Sequence, residues 1–113
     1  MQLSAAHIYL CLEPVDMRLG IDGLSRLAQD HLKQHIGNGC AYVFSNKARN
    51  RLKALLWDGT GVWLCQRCLH LGRFTWPDQD TALFELSKQQ WEWLAKGVDW
   101  QRLDAQCPYE WRV

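Results

Sequence analysis

The sequence predicts an α+β fold in which a mainly antiparallel β-sheet, with a central hairpin, packs against two α-helices in a single domain. Three observations support this class. Short β-prone runs follow one another closely, a tight Gly-containing loop joins two of them, and two other segments space their apolar residues as helices do. Consecutive strands with short links favour hairpins, so most strand pairs should be antiparallel.

The N-terminal third predicts one strand and one helix. Residues 7–12 alternate in side-chain character as a strand does, and Pro14 stops this strand because proline has no N–H to donate. Residues 21–36 place apolar side chains on one stripe and therefore predict the first helix. Gly37-Asn38-Gly39 ends it, since these residues tolerate the left-handed backbone of a helix terminus.

The middle of the chain predicts the hairpin. Cys40–Ser45 is a short apolar run that reads as a buried strand. Arg51–Trp57 and residues 62–69 read as two strands, and the Asp-Gly-Thr-Gly loop between them is a hairpin signal. Residues 74–76 are a candidate start of another strand, stopped by the proline that follows.

The C-terminal third predicts one more strand and the second helix. Residues 81–86 are the candidate strand, and residues 87–96 the helix. Ser87 and Gln90 have the spacing of a capping box, in which each side chain bonds the backbone N–H of the other residue. Gly97 is suited to close the far end of this helix.

Length and composition predict one soluble domain. The 113 residues suffice for one core, which we expect over about residues 7–102 of a domain spanning 1–113, with residues 103–113 as a tail. The start of the chain lacks a signal-peptide pattern, and no segment approaches the roughly 20 apolar residues of a membrane span. We therefore expect a cytoplasmic protein without membrane association, whose five cysteines are free thiols.

Basic residues concentrate in the middle of the chain, although the net charge is only +1. Residues 46–73 contain a single acidic residue, Asp58. If residues 47–53 are extended, alternate side chains point to the same side and form a basic stripe. On the partner strand, Trp63, Cys65 and Arg67 share a face, which places an aromatic residue beside the stripe. Such a stripe displaces counterions from phosphates and indicates DNA binding, whereas the alternative is an ordinary solvated sheet face. The six predicted DNA-binding residues are Lys47, Arg49, Arg51, Lys53, Arg67 and Arg73.

Other chemistries have less support in the sequence. Cys65 and Cys68 have a CxxC spacing, but a structural zinc site needs four ligands, and the remaining cysteines and histidines are scattered. His31 and His35 are four apart on the first predicted helix without the glutamate of the HExxH motif. No carboxylate set, phosphate loop or nucleophile motif is recognisable. The sequence therefore predicts no cofactor, no metal site and no enzymatic activity.

Five groups of residues resemble, in the right order, the motifs of one protein family. They are Asp16-Met17-Arg18 with Gly20 and Gly23-Leu24 (family TDMRxGxxGL), Tyr42-Val43-Phe44 (LFVF), Arg51-Leu52-Lys53 with Trp57-Asp58 and Gly61 (RxK…WDxxG), Leu69 with Gly72-Arg73-Phe74 and Trp76-Pro77 (KRLExGRFxWP), and Leu86-Ser87 with Gln90 and Val98-Asp99-Trp100 (LTxxQL…GIDW). The family is that of the small accessory proteins, called TnpB or Orf2, of bacterial transposable elements of the insertion sequence 66 family. Cys68 and His70 depart from it, because the family has a basic and an acidic residue there.

The resemblance implies a component of a transposition system, in which a separate, larger protein resembles an acidic-triad transposase and this small one assists. Two roles stay open. In the first, the protein binds DNA, at the element ends or non-specifically, through its basic hairpin. In the second, it docks on the transposase or another protein of the same element without touching DNA, and Trp93 and Trp111 are the candidate interaction residues because tryptophans often anchor interfaces.

Overall fold

The computed structural model describes residues 5–32, 39–77 and 83–101. Within them, five strands and two helices follow in the order β1 (His7–Cys11), α1 (Ile21–Leu32), β2 (Cys40–Ser45), β3 (Arg51–Trp57), β4 (Val62–Cys68), β5 (Leu83–Leu86) and α2 (Lys88–Ala95). The strands form one sheet in the order β4-β3-β2-β1-β5. This architecture confirms the predicted α+β fold and the hairpin of β3 and β4.

One strand pair departs from the antiparallel pattern. β1 and β2 are parallel, with His7 opposite Cys40, whereas the other three neighbouring pairs are antiparallel. The helix α1 explains this difference, because a helical crossover returns the chain to the end of the sheet from which β1 started. β5 then pairs with the free side of β1, so the N-terminal strand lies inside the sheet.

The two helices cover opposite faces of the sheet. Because side chains alternate along a strand, Ile8 and Leu10 of β1 join one core cluster, while Tyr9 and Cys11 join the other. All six residues of β2 are buried, as expected for a strand covered on both sides. On the face towards α1 the buried residues include Leu24, Ala28, Tyr42, Phe44 and Leu55. On the face towards α2 they include Val43, Leu52, Trp91, Leu94 and Trp100.

The second helix begins as its sequence indicates. Ser87 Oγ accepts the backbone N–H of Gln90 at 3.1 Å, and Gln90 Oε1 accepts the backbone N–H of Ser87 at 2.9 Å. The predicted capping box is therefore confirmed. Of the first helix, the predicted residues 33–36 lie outside the described residues.

The predicted strand at residues 74–76 is wrong. Phe74 N–H donates to Arg49 O at 2.7 Å, and Trp76 Nε1 donates to Cys11 O at 2.8 Å. Trp100 Nε1 in turn donates to Thr75 O at 2.7 Å. These single anchors hold the segment across the end of the sheet, so its β-prone residues pack without forming a ladder.

No helix in the part of the chain that the structure describes is both long and apolar enough to cross a membrane.

Candidate nucleic-acid interface

The link between β2 and β3 is a tight turn held by an asparagine. Asn46 Oδ1 accepts the backbone N–H groups of Asn50 and Arg51, both at 3.1 Å, and Asn46 Nδ2 donates to Asn50 Oδ1 at 2.7 Å. The condition for a continuous basic stripe, an extended chain from residue 47 to 53, is therefore not met at residues 47–50. Asparagine side chains commonly replace backbone partners in this way, and here both amides are engaged within the turn instead of facing a ligand.

Arg49 is a structural anchor as well as a cation. Its backbone has φ 58°, the left-handed region that residues other than glycine rarely adopt. The side chain folds back over the sheet end, where Nη2 donates to Leu12 O at 2.9 Å and Cζ lies 5.1 Å from the centroid of the Trp76 ring. Burial lowers the pKa of Arg49 from its ordinary value, and an arginine still remains charged at neutral pH.

Arg51 and Lys53 lie on the α1 face of β3, as the alternation predicts. Lys53 Nζ donates to Leu19 O at 2.9 Å, in the loop before α1, while Arg51 is exposed. Together with Met17, Gln66 and Cys68 they line an open hollow. This hollow brings the loop before α1, the start of β3 and the end of β4 into one surface.

Arg67 lies on the other face of the sheet. It stands opposite Leu52, a residue of the core cluster below α2. Its Nε donates to Ala95 O at the end of α2, where a carbonyl without a helical partner accepts a cation well. The predicted stripe of cations on one face is therefore divided between two faces at its β4 end.

Lys47 and Arg73 are exposed in the segments around the turn. The chain after β4 is tied to this turn, because Leu69 N–H donates to Asn50 O at 2.8 Å and Phe74 N–H donates to Arg49 O. The strand ends meet in the same place, with Arg51 opposite Cys68. All six predicted residues thus lie at one end of the β3–β4 pair, which we call the basic end: Lys47, Arg49, Arg51, Lys53, Arg67 and Arg73.

The cations of the basic end have no carboxylate partner in the described part of the chain. The two ion pairs found there join His7 to Glu85 and Arg18 to Asp16. Asp58 lies at the opposite end of the hairpin, where its carboxylate accepts bonds from Thr60, Gly61 and the indole of Trp63. These hydrogen bonds, those of Thr60 first, lower the pKa of Asp58 to about 2.

Arg18 was not among the predicted site residues, yet it lies beside the basic end. Its side chain is 91% exposed and forms a two-pronged pair with Asp16, with Arg18 Nη2 2.8 Å from Asp16 Oδ2. Side-chain and then backbone hydrogen bonds from Arg18 lower the pKa of Asp16 to about 2, and Lys53 adds a smaller effect. The sequence signal was the Asp16-Met17-Arg18 motif, whose central methionine lines the same hollow as Arg51.

The structure describes one of the two predicted interaction tryptophans. Trp93 is half-buried and packs against the core cluster below α2, while Trp111 lies outside the described residues. A third tryptophan, Trp63 on β4, is 60% exposed. An alternating strand with an exposed aromatic residue was visible in the sequence, but it was assigned to the basic stripe.

The two cysteines of the CxxC sequence lie on different faces of β4. Cys65 packs on the α2 face, opposite Ala54, and Cys68 is exposed on the other face, opposite Arg51. The two members of the CxxC sequence therefore point to different faces of the sheet. No group of three or more His, Cys, Asp and Glu side chains suited to a metal occurs in the described ranges. The spacing of His31 and His35 cannot be placed here, because His35 and the side chain of His31 lie outside these ranges.

Comparison with known proteins assigns the chain to a family. The profile of the family described as IS66 Orf2 like protein matches residues 6–105. Two proteins of Sinorhizobium fredii (strain NBRC 101917 / NGR234) are similar along most of their length. The uncharacterized protein y4jC is 32% identical over 97 residues, covering 86% of this chain and 83% of its own, and the uncharacterized protein y4hO is 31% identical over 95 residues, covering 84% and 83%. No solved structure matches. The chain belongs to the family of IS66 Orf2-like proteins.

Proposed function

We propose that the protein is a non-catalytic accessory factor that binds DNA through its basic end during transposition of its element. Family membership supports the accessory role in transposition. The observation that supports DNA binding is the clustering of six cations at one end of the hairpin, with no carboxylate within salt-bridge distance in the described residues. Unpaired cations of this kind attract the phosphates of a duplex.

The exposed and the half-buried cations have different tasks in this proposal. Lys47, Arg51 and Arg73 are exposed and contact phosphates directly. Arg67 is also exposed, but it lies on the other face and already donates to Ala95 O, so it adds to the positive potential instead. Arg49 and Lys53 are half-buried and already donate to backbone carbonyls, so they fix the shape of the surface and add to its positive potential. Phosphate contacts give affinity and position without reading bases, so sequence preference requires further contacts.

The test is fluorescence anisotropy of labelled duplexes over a salt series, comparing an element end with a scrambled sequence. We expect the logarithm of the affinity to fall linearly with the logarithm of the salt concentration. The double variant Arg51→Ala/Lys53→Ala should weaken binding to both duplexes and reduce the magnitude of the slope by about 1 for the lost phosphate contact of Arg51, while the loss of Lys53 lowers the positive potential of the surface. Preference for the element end would add a targeting role.

A matched control removes the same charge elsewhere. Arg26 and Lys88 are exposed on α1 and α2, away from the basic end. The variant Arg26→Ala/Lys88→Ala should leave the salt slope unchanged. Absence of binding at low salt, or an equal effect of the two double variants, would contradict the proposal.

A second candidate function is docking on the transposase or another protein of the same element without DNA contact. The observation in its favour is that Trp93 packs against the core while keeping part of its ring accessible. Aromatic residues of this kind often anchor interfaces. Co-purification of a transposase that is lost in the variants Trp93→Ala or Trp111→Ala would favour this role, and retention in both would remove these two residues as its site.

A further inference from the structure

The outer edge of β4 is open along its whole length in the described structure. β4 is the last strand of the sheet and has seven residues, whereas β5 at the opposite edge has four. Natural proteins usually protect an edge by shortening it or by placing proline, charged side chains or a bulge in it. β4 contains no proline and a single charged residue, Arg67, and its register with β3 is continuous from Arg51–Cys68 to Trp57–Val62.

The hydrogen bonds at both ends of the hairpin fix which backbone groups face outwards. Asp58 N–H donates to Gly61 O, and Leu69 N–H donates to Asn50 O. Hydrogen-bonded and non-hydrogen-bonded pairs alternate along an antiparallel ladder. It follows that the odd-numbered residues of β4 bond to β3. The residues whose N–H and C=O groups point away from the sheet are Val62, Leu64, Gln66 and Cys68.

The side chains of β4 are self-complementary about its middle residue. Cys65 is the centre of Val62–Cys68, and Trp63 and Arg67 lie two residues to either side on the same face. Trp63 is 60% exposed, and Arg67 is the one charged residue of the strand. In an antiparallel pair of two β4 strands centred on Cys65, each Trp63 stands opposite an Arg67, so that the ring meets a cation and no like charges face each other.

A hollow beside the edge fits the same arrangement. It lies on the α2 face, and its lining includes Arg67, Trp91, Glu92, Ala95 and Lys96. The partner's Trp63 would enter it beside Arg67 in this register. The strand therefore provides both the protruding aromatic residue and the recess that receives it, which is the requirement for a two-fold symmetric interface.

We propose that the protein forms a two-fold symmetric dimer through antiparallel pairing of β4 with β4 of a second copy, centred on Cys65. The pairing joins the two sheets into one and satisfies the outward backbone groups from Val62 to Cys68. It does not depend on DNA binding. The first consequence is that Trp63→Ala should raise the dissociation constant of the dimer at least tenfold, because each interface contains this ring twice.

The oligomeric state is measured by sedimentation of the full chain under reducing conditions. The control variant is Ile21→Ala, which removes an exposed apolar side chain from the start of α1 and not from the edge strand; Ile21 is 38% exposed. We expect the wild type and Ile21→Ala to be dimers, and Trp63→Ala to have a higher dissociation constant with unchanged circular dichroism. A monomeric wild type at about 100 μM, where even weak specific interfaces associate, would overturn the proposal.

The register is measured by disulfide cross-linking with diamide as the oxidant. Two Cys65 residues would face each other in a non-hydrogen-bonded pair with Cα atoms about 4.5 Å apart, within the range that a disulfide spans. Two Cys68 residues would lie six positions apart along the pair, roughly 20 Å. Cys68→Ala/Cys107→Ala, which keeps Cys65, should therefore cross-link, whereas Cys65→Ala/Cys107→Ala should not, although Cys68 is the more exposed thiol. Equal or reversed cross-linking would overturn this register.

Discussion

The guanidinium of Arg49 lies over the indole of Trp76, and the two side chains hold neighbouring carbonyls at the end of β1. Arg49 Nη2 donates to Leu12 O, and Trp76 Nε1 donates to Cys11 O. The contact joins the turn after β2 and the segment after β4 to the first strand. A residue that sequence reasoning assigned to DNA is thus also part of the framework of the fold.

The first prediction concerns Arg49. Arg49→Ala should lower the free energy of unfolding by about 1–3 kcal/mol, because it removes a charged hydrogen bond and a cation–π contact. Lys47→Ala in the same turn should change it by less than about 0.5 kcal/mol, since Lys47 is exposed. Urea denaturation followed by circular dichroism measures both variants. Equal stabilities would show that the Arg49 contacts do not stabilise the fold.

The second prediction concerns the Asp16–Arg18 pair and rests on the proposed DNA binding. Asp16→Asn removes a negative charge beside the basic end and releases Arg18, so binding at low salt should strengthen by about threefold. Asp22→Asn makes the same charge change on α1 and should have a smaller effect. Because the pKa of Asp16 is about 2, its own titration should not alter binding between pH 5 and 8. Weaker binding by Asp16→Asn would contradict this role.

The third prediction is a pH dependence at Asp58. Its pKa is about 2 in the folded chain, below the ordinary 3.8, because the carboxylate accepts hydrogen bonds in the hairpin turn. The ionised form therefore stabilises the fold fully above pH 4, and this contribution is lost as the pH falls towards 2. The difference in free energy of unfolding between wild type and Asp58→Ala should be constant from pH 5 to 7 and shrink below pH 4. A difference in free energy of unfolding that is unchanged at pH 2.5 would contradict this prediction. The titration of Asp16 does not affect the difference, because both proteins contain Asp16.

The fourth prediction compares two glycines. Gly97 follows α2 with φ 79°, and a Cβ added there would lie 3.1 Å from Leu69 Cδ1. Gly97→Ala should therefore lower the melting temperature, at a cost of about 1–2 kcal/mol in stability. A Cβ at Gly61 would meet nothing within 4 Å, so Gly61→Ala serves as the control and should be nearly neutral. Equal melting temperatures would exclude strain at Gly97.

The elements governed by local signals could be predicted from the sequence. Cys40–Ser45 and Arg51–Trp57 have the predicted bounds, and Ser87 caps α2 as its spacing indicates. Each of these depends on residues near one another in the chain. The parallel pairing of β1 with β2 and the antiparallel pairing of β1 with β5 depend on distant segments, and no short-range pattern contains that information.

The sequence predicted which cations cluster at the candidate site, but only part of the backbone conformation that brings them together. The cations meet at one end of the hairpin as expected, but their alternation from residue 47 to 53 is interrupted by the turn. The amide of Asn46 closes that turn by accepting two backbone N–H groups. Charge alternation alone could not reveal the turn, because an asparagine followed by alternating cations is equally compatible with a strand.

The interior position of β1 sets the order in which the sheet can be completed. One side of β1 pairs with β2, but the other side pairs with Leu83–Leu86, which follows about two-thirds of the chain later. During synthesis the ribosome releases β1 long before β5, so one side of the first strand has no partner until nearly the whole chain has emerged. Chains that stop before β5 would expose that strand as a second open edge, and we expect them to aggregate or be degraded instead of persisting as shorter folded proteins.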